Sequence, residues 1–212
     1  MSKLITTDIV LIDIIDFSLL EMDEQLEIIS YVSSTFRKMI NSMLRASGFK
    51  MDDIFLGLIP TGDGFYSILD PKLRGFGPIL GLSFTHFSSL IEQEFSYYKG
   101  IRVAVHTGNI YKFKDVLARE NFVGDGLNEC ARYVGIKDLI SNTVIISDKS
   151  FERFEIFLQN FPQYNELLAK CKFKRGSMHK IVDKHGFERL GYLIWMNQGA
   201  IIPPPKKLLK VR

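Results

Sequence analysis

Two carboxylates occupy positions where an acid is unexpected. Asp13 lies between Ile12 and Ile14 in the apolar run Asp8–Ile15, and Asp63 sits in Thr61-Gly62-Asp63-Gly64 between two further apolar runs. An ionised carboxylate inside a buried strand is costly unless it is paired or bound to a metal. A strand end, a cap or an ion pair would explain Asp13 alone, and Asp-Gly turn chemistry would explain Asp63 alone. Together, on neighbouring strands, they could hold hard cations through oxygen ligands. Two metals about 3.5–4 Å apart activate an attacking oxygen and stabilise a leaving one.

Asn128 and Arg132 follow the segment Phe122–Gly126, four residues apart and therefore on one face of a helix. Such a pair is commonly a solvated surface. Near a phosphorus centre it would supply a guanidinium for developing charge and an amide to orient a sugar.

The surrounding pattern says what must position these groups. Asp8–Ile15 reads as a strand buried on both faces. Leu20–Leu44 carries apolar residues at Met22, Leu26, Ile29, Val32, Phe36, Ile40 and Met43, one helix face, and Gly48 supplies the stop. Phe55–Ile59 and Phe65–Leu69 form a hairpin around Asp63-Gly64. Ile79–Tyr98 reads as a helix, Ile101–His106 and Asn109–Phe113 as strands, Gly126–Val134 as a short helix and Thr143–Ile146 as a buried strand. Helical pieces near Phe151–Leu158 and Gln163–Cys171 precede strands ending at Tyr192–Met196. The order predicts an α+β fold, ferredoxin-like, with an antiparallel-rich central sheet covered by helices.

The motifs carry a resemblance. Leu11-Ile12-Asp13-Ile14-Ile15-Asp16-Phe17-Ser18 resembles the opening signature of class III nucleotidyl cyclases, and Thr61-Gly62-Asp63-Gly64-Phe65 their second metal motif. Arg102–Gly108 resembles the strand and turn that follow, with His106 in the turn, and Gly124–Arg132 resembles the transition-state helix. Order and separations match over about Asp8–Val134, with looser support to Met196.

The resemblance implies that Asp13, the Ile14 carbonyl and Asp63 bind two Mg²⁺ or Mn²⁺ ions. Asn128 would orient the ribose, and Arg132 would stabilise charge on the α-phosphate. It also implies a head-to-tail homodimer in which each of two equivalent sites draws on both chains. No separate protein base is needed, and His86 on its apolar helical face is expected to be a core residue.

Several positions depart from the family pattern. The base-selecting lysine or glutamate is replaced by Ile59, and its partner position is Asn121. Neither purine code is intact, and a lost buried hydrogen bond costs about 1–3 kcal/mol. Asn121, donor and acceptor at once, could read a pyrimidine edge without separating uracil from cytosine. The combination resembles the pyrimidine cyclases of bacterial Pycsar antiphage systems, with UTP the favoured substrate and a cyclic-nucleotide-activated effector as partner. An atypical adenylate cyclase and an inactive cyclase-like nucleotide-binding or dimerisation module are the alternatives. Asp16 stands where the family usually has glycine, and Asn109 where some relatives have a phosphate-binding arginine. Lys180 and Lys184 are candidates for holding the triphosphate.

Bulk properties bound the rest. The chain has 212 residues, 46% hydrophobic and 24% charged, enough for one catalytic domain over 1–198 without disulfide staples. Two cysteines, Cys130 and Cys171, suggest a reducing cytoplasm. The net charge of +3 is carried by a Pro-containing tail, 199–212, with Lys206, Lys207, Lys210 and Arg212. The nearly neutral body argues against nucleic-acid binding, and no apolar stretch approaches the ~20 residues that span a membrane.

Overall fold

Alternation along the first strand sets the layering. The computed structural model describes residues 3–136, 140–182 and 186–206. In β1 (Leu4–Ile14), Val10, Ile12 and Ile14 face one core while Ile9 and Leu11 face another. Side chains alternate across a strand, so a strand apolar in both phases must be covered on both faces. The first core gathers α1 (Met22–Ser47), α3 (Gly77–Glu94), α5 (Asp148–Asn160) and α6 (Gln163–Lys170). The second is covered by α4 (Asp125–Val134) through Cys130, Tyr133 and Val134. A single turn, α2 (Met51–Ile54), leads into β2 (Phe55–Pro60).

The remaining strands are β3 (Gly64–Leu69), β4 (Ile101–Lys114), β5 (Glu120–Val123), β6 (Val144–Ser147), β7 (Phe173–Val182) and β8 (Glu188–Met196). They form one sheet of 8 strands in the order β2-β3-β1-β4-β6-β8-β7, with β5 paired to the far part of β4. The β4–β6 pair is parallel and the others are antiparallel. This is the antiparallel-rich, helix-covered sheet that the sequence predicts.

Helix α1 starts with the Glu21 backbone N–H donating to the Glu24 carboxylate at 3.0 Å and stops at Gly48, φ 77°. Its buried face runs through Ile28, Val32, Phe36, Met39, Ile40 and Met43. Met22 and Leu26, expected on that face, are exposed, and the buried stripe begins only at Ile28. Helix α3 ends at Glu94 rather than Tyr98. The Tyr98 hydroxyl is instead 2.9 Å from the Ser88 hydroxyl, and the chain turns at Gly100, φ 92°.

Two further differences bear on the site. The turn expected at His106–Gly108 is absent, and β4 runs through those residues in unbroken register with β1. Gly108 is there for contact instead, since a Cβ would lie 2.6 Å from the Gly126 Cα. Strand β5, which carries Asn121, was not predicted; it forms against Tyr111–Lys114 of β4. Beyond β8, Ile202, Pro204 and Pro205 are buried and the Tyr164 hydroxyl donates to the Pro203 carbonyl at 2.7 Å, so this part of the predicted tail packs on the body. Lys207, Lys210 and Arg212 lie outside the described residues.

The β1–β3 contact leaves no room for a side chain at Gly64. A Cβ at Gly64 would stand 1.9 Å from the Ile12 carbonyl oxygen, a distance no side chain can occupy. Gly64→Ala is therefore expected to lower stability by about 3 kcal/mol or more. Thermal denaturation checks this, and a melting temperature within a degree of wild type would contradict the packing.

Candidate active site

Asp13 ends β1, and its strand neighbours are Gly64 of β3 and Arg102 of β4. The β2–β3 hairpin folds onto it: the Ile14 N–H donates to the Asp63 carbonyl at 2.8 Å, and the Thr61 hydroxyl donates to the Asp63 carboxylate at 3.2 Å. Gly62, φ 96°, makes that turn possible. The result brings the Asp13 and Asp63 carboxyls within hydrogen-bonding reach of each other. Both side chains are half-buried.

Burial is the main influence on the Asp13 carboxyl and pushes it above the usual range. Arg102 opposes the shift, and the neighbouring Asp63 charge adds to it. The Arg102 Nε donates to Asp13 at 2.8 Å, so the ion pair considered from sequence exists alongside the carboxylate pair. Arg102 was not singled out beforehand, because the partners are 89 residues apart and meet only through strand pairing.

An acid whose charge is opposed by burial and by a neighbouring carboxylate fits a divalent cation, which relieves both. Among the described residues there is no cluster of three or more His, Cys, Asp or Glu side chains able to hold a metal. The donors brought together here are the two carboxylates. That sparse set matches the habit of Mg²⁺, which takes one or two carboxylates and leaves places for substrate phosphates.

Asp16 adds no uncompensated charge. It adopts φ 56° and accepts from Lys99 at 2.7 Å, and this pairing holds its carboxyl below the usual range. Its backbone is in the left-handed region, which explains why glycine is the usual residue at this position of the motif.

The second group of residues lies elsewhere. Asn128 is exposed on α4, and Arg132 on the same face donates to Glu129. They stand on helix α4, whereas Asp13 stands on β1 and Asp63 in the β2–β3 hairpin. Helix α4 is held to the sheet by Cys130, whose thiol is 3.4 Å from the Ile9 carbonyl, and by close approach of Gly126 to Gly108.

Ile59 is half-buried in the second core, paired across the strand with Tyr66. The Asn121 side-chain oxygen accepts from the Phe122 N–H at 2.8 Å, which leaves its NH₂ group to donate. Asn109 accepts from the Thr6 hydroxyl at 2.7 Å. Lys180 lies on β7 and is ion-paired with Glu188, with 61% of its side chain exposed. Lys184 lies outside the described residues.

No protein-family model matches this sequence, and no curated protein matches it either. Solved structures do. The guanylate cyclase domain of RhGC from Catenaria anguillulae in complex with GTP is 14% identical, TM-score 0.56, covering 92% of this chain and 98% of that one. The non-canonical dimeric guanylyl cyclase domain of RhoGC from Blastocladiella emersonii is 10% identical, TM-score 0.56, with 92% and 98% covered. A monomeric adenylate cyclase structure from Trypanosoma brucei is 11% identical, TM-score 0.59, with 97% and 95% covered. The fold is that of a class III cyclase catalytic domain. In this cyclase fold the sequence motifs fall on the strand end, hairpin and helix described above.

The two histidines weighed from sequence do not enter the carboxylate pair. His86 is half-buried against Phe87. His106 is buried in β4, its Nδ1 2.9 Å from the Ser147 hydroxyl and its ring stacked on Tyr133. Burial lowers it from 6.5 to about 4. Because its folded value is depressed, the neutral form is favoured and stability is present above about pH 6.5, then lost as pH falls towards 4. The loss attributable to this residue is at most about 3 kcal/mol. Melting temperatures between pH 7 and 4.5 should therefore fall more steeply for wild type than for His106→Gln; parallel curves would assign the acid sensitivity to other groups. Among the described residues no helix is long and apolar enough to cross a membrane.

Proposed function

We propose that the protein is a nucleotidyl cyclase that converts a pyrimidine nucleoside triphosphate, with UTP favoured, to its 3′,5′-cyclic monophosphate and pyrophosphate. The observation that carries this is the meeting of Asp13 and Asp63 at one strand end of a cyclase fold.

Bound divalent cations, held by Asp13, Asp63 and the Ile14 carbonyl, would supply acidification of the ribose 3′-hydroxyl and charge for the triphosphate. The chain's own residues do the rest. Arg102, already beside Asp13, places a positive charge where a polyphosphate must lie. Asn128 orients the ribose by hydrogen bonds to its oxygens. Arg132 meets the charge that grows on the α-phosphate as the new P–O bond forms and pyrophosphate departs. The hydroxyl proton leaves to solvent, and buried His106 takes no part.

Asn128 and Arg132 are on a different element from the aspartates, which fits a site completed by a second chain in a head-to-tail homodimer. Exposed apolar side chains fit that arrangement: Val116 and Leu117 at the β4–β5 turn, and Met22 and Leu26 on α1. A dimeric domain of this fold exists in the Blastocladiella protein.

Base choice follows from the two departures. Ile59 offers no hydrogen bond. Asn121, its oxygen engaged by Phe122, presents a donor. A donor suits the O4 carbonyl of uracil and not the N4 amino group of cytosine. The product would then activate an effector in bacterial antiviral defence, a role supported by the likeness of these base-selecting positions to pyrimidine cyclases.

Incubation with ATP, GTP, CTP and UTP in separate tubes with Mn²⁺, read by mass spectrometry, should give cyclic UMP. A cyclic purine would overturn the base assignment and keep the chemistry. EDTA should abolish turnover, as should Asp63→Ala with the dimer intact; surviving activity would refute the metal ligands. Arg132→Ala should lower kcat by about 10²–10³-fold with little change in KM.

A further inference from the structure

Glu129 lies on α4 between Asn128 and Arg132 in sequence, and it answers two guanidinium groups. Arg132 donates to its Oε1 from the same helix. Arg189, on β8, donates from Nε to Oε2 at 2.7 Å and from Nη2 to Oε1 at 3.1 Å. Only 11% of the Arg189 side chain is exposed, against 27% for Glu129 and 36% for Arg132. The most buried member of the trio is therefore the one carried by the sheet.

The geometry points to Arg189 as a positioning residue that, through Glu129, sets where the Arg132 guanidinium stands and how much of its charge remains for substrate. This rests on the role proposed above for Arg132.

A carboxylate three residues before an arginine on a solvated helix would by itself be a weak and mobile partner. It would also claim the positive charge that the α-phosphate needs. The two-point hold of Arg189 changes both properties. A bidentate arginine–carboxylate pair fixes the carboxylate in plane and position. Its Oε1 then becomes a fixed anchor for the long Arg132 side chain.

Arg189 also shares the negative charge, so that Glu129 steers Arg132 without neutralising it. The Glu129 carboxyl is correspondingly held below its usual range, first by hydrogen bonding from Arg189. The frame around the trio is stiff. The Tyr133 hydroxyl donates to the Leu190 carbonyl at 2.9 Å, tying α4 to β8 one residue further along each element. The Arg189 Nη1 donates to the Phe187 carbonyl at 3.3 Å. Arg132 thus takes its alignment from the sheet, not from its own helix alone.

The test is steady-state kinetics of Arg189→Ala and Arg189→Lys, each in the wild-type and Arg132→Ala backgrounds, with thermal denaturation to establish folding. Arg189→Ala should lower kcat about tenfold or more with KM changed less than about twofold, since the positioned charge acts in the transition state. Arg189→Lys, keeping charge but losing the two-point hold, should fall between wild type and alanine. In the Arg132→Ala background the Arg189 substitutions should add little, because the group they position is gone.

Wild-type kcat in a folded Arg189→Ala protein would overturn the inference. So would an equal loss in both backgrounds, which marks a merely structural role. If Arg189→Ala does not fold, Arg189→Lys decides by the same two comparisons. Full turnover in Arg132→Ala alone would overturn the role of Arg132 and this inference together. Full turnover in Arg189→Ala beside an inactive Arg132→Ala would overturn this inference alone.

Discussion

The carboxylates of Asp13 and Asp63 approach because β1 and β3 come so close at Gly64 that a single methyl group would strike the Ile12 carbonyl. Everything proposed for the site depends on that contact. It lets the hairpin close over the end of β1, it fixes the Asp63 backbone through the Ile14 N–H, and it puts Asp13, whose charge burial resists, beside a second acid. Arg102 offsets part of the penalty from the other side, arriving on β4 as the register partner of Asp13. The end of the strand is thus an electrostatic unit of two acids and one base, short of positive charge and open to more.

Helix α4 is organised on the opposite principle. Among the described residues it is the helix that covers the second core, anchored by small or buried groups at Gly126, Cys130 and Tyr133, with Asn128 exposed. Its polar face is referred to the sheet through Glu129 and Arg189. One group of candidate residues therefore owes its placement to backbone register, the other to a side-chain bridge across elements.

The sequence disclosed what is local. The continuous apolar run of β1, the Asp-Gly hairpin and the four-residue spacing of Asn128 and Arg132 all become visible within short windows, and they fall on a doubly buried strand, a hairpin and one helix. What failed was non-local. Strand β5 has only four residues and exists because the extended end of β4 pairs with it. The Thr107-Gly108 step reads as a turn by composition, yet Gly108 is small because Gly126 approaches it. Arg102 and Arg189 gave no signal, since each acquires its meaning from an acid 89 or 60 residues away in the chain. The exposed Met22 and Leu26 belong with these, being apolar residues whose helical phase was legible but whose exposure was not.

Asp16 shows how a motif can change its letters without changing its shape. The backbone there is left-handed, φ 56°, a conformation glycine adopts freely and aspartate or asparagine tolerate better than other side chains. The loop after the metal-site strand can therefore drift among three residue types while its path through space stays put. Aspartate has the further property of recruiting Lys99, so the loop carries a clasp that a glycine version would lack. In a lineage, the heritable trait at this position is a dihedral angle, and the alphabet that spells it is free to wander within the few residues able to adopt it.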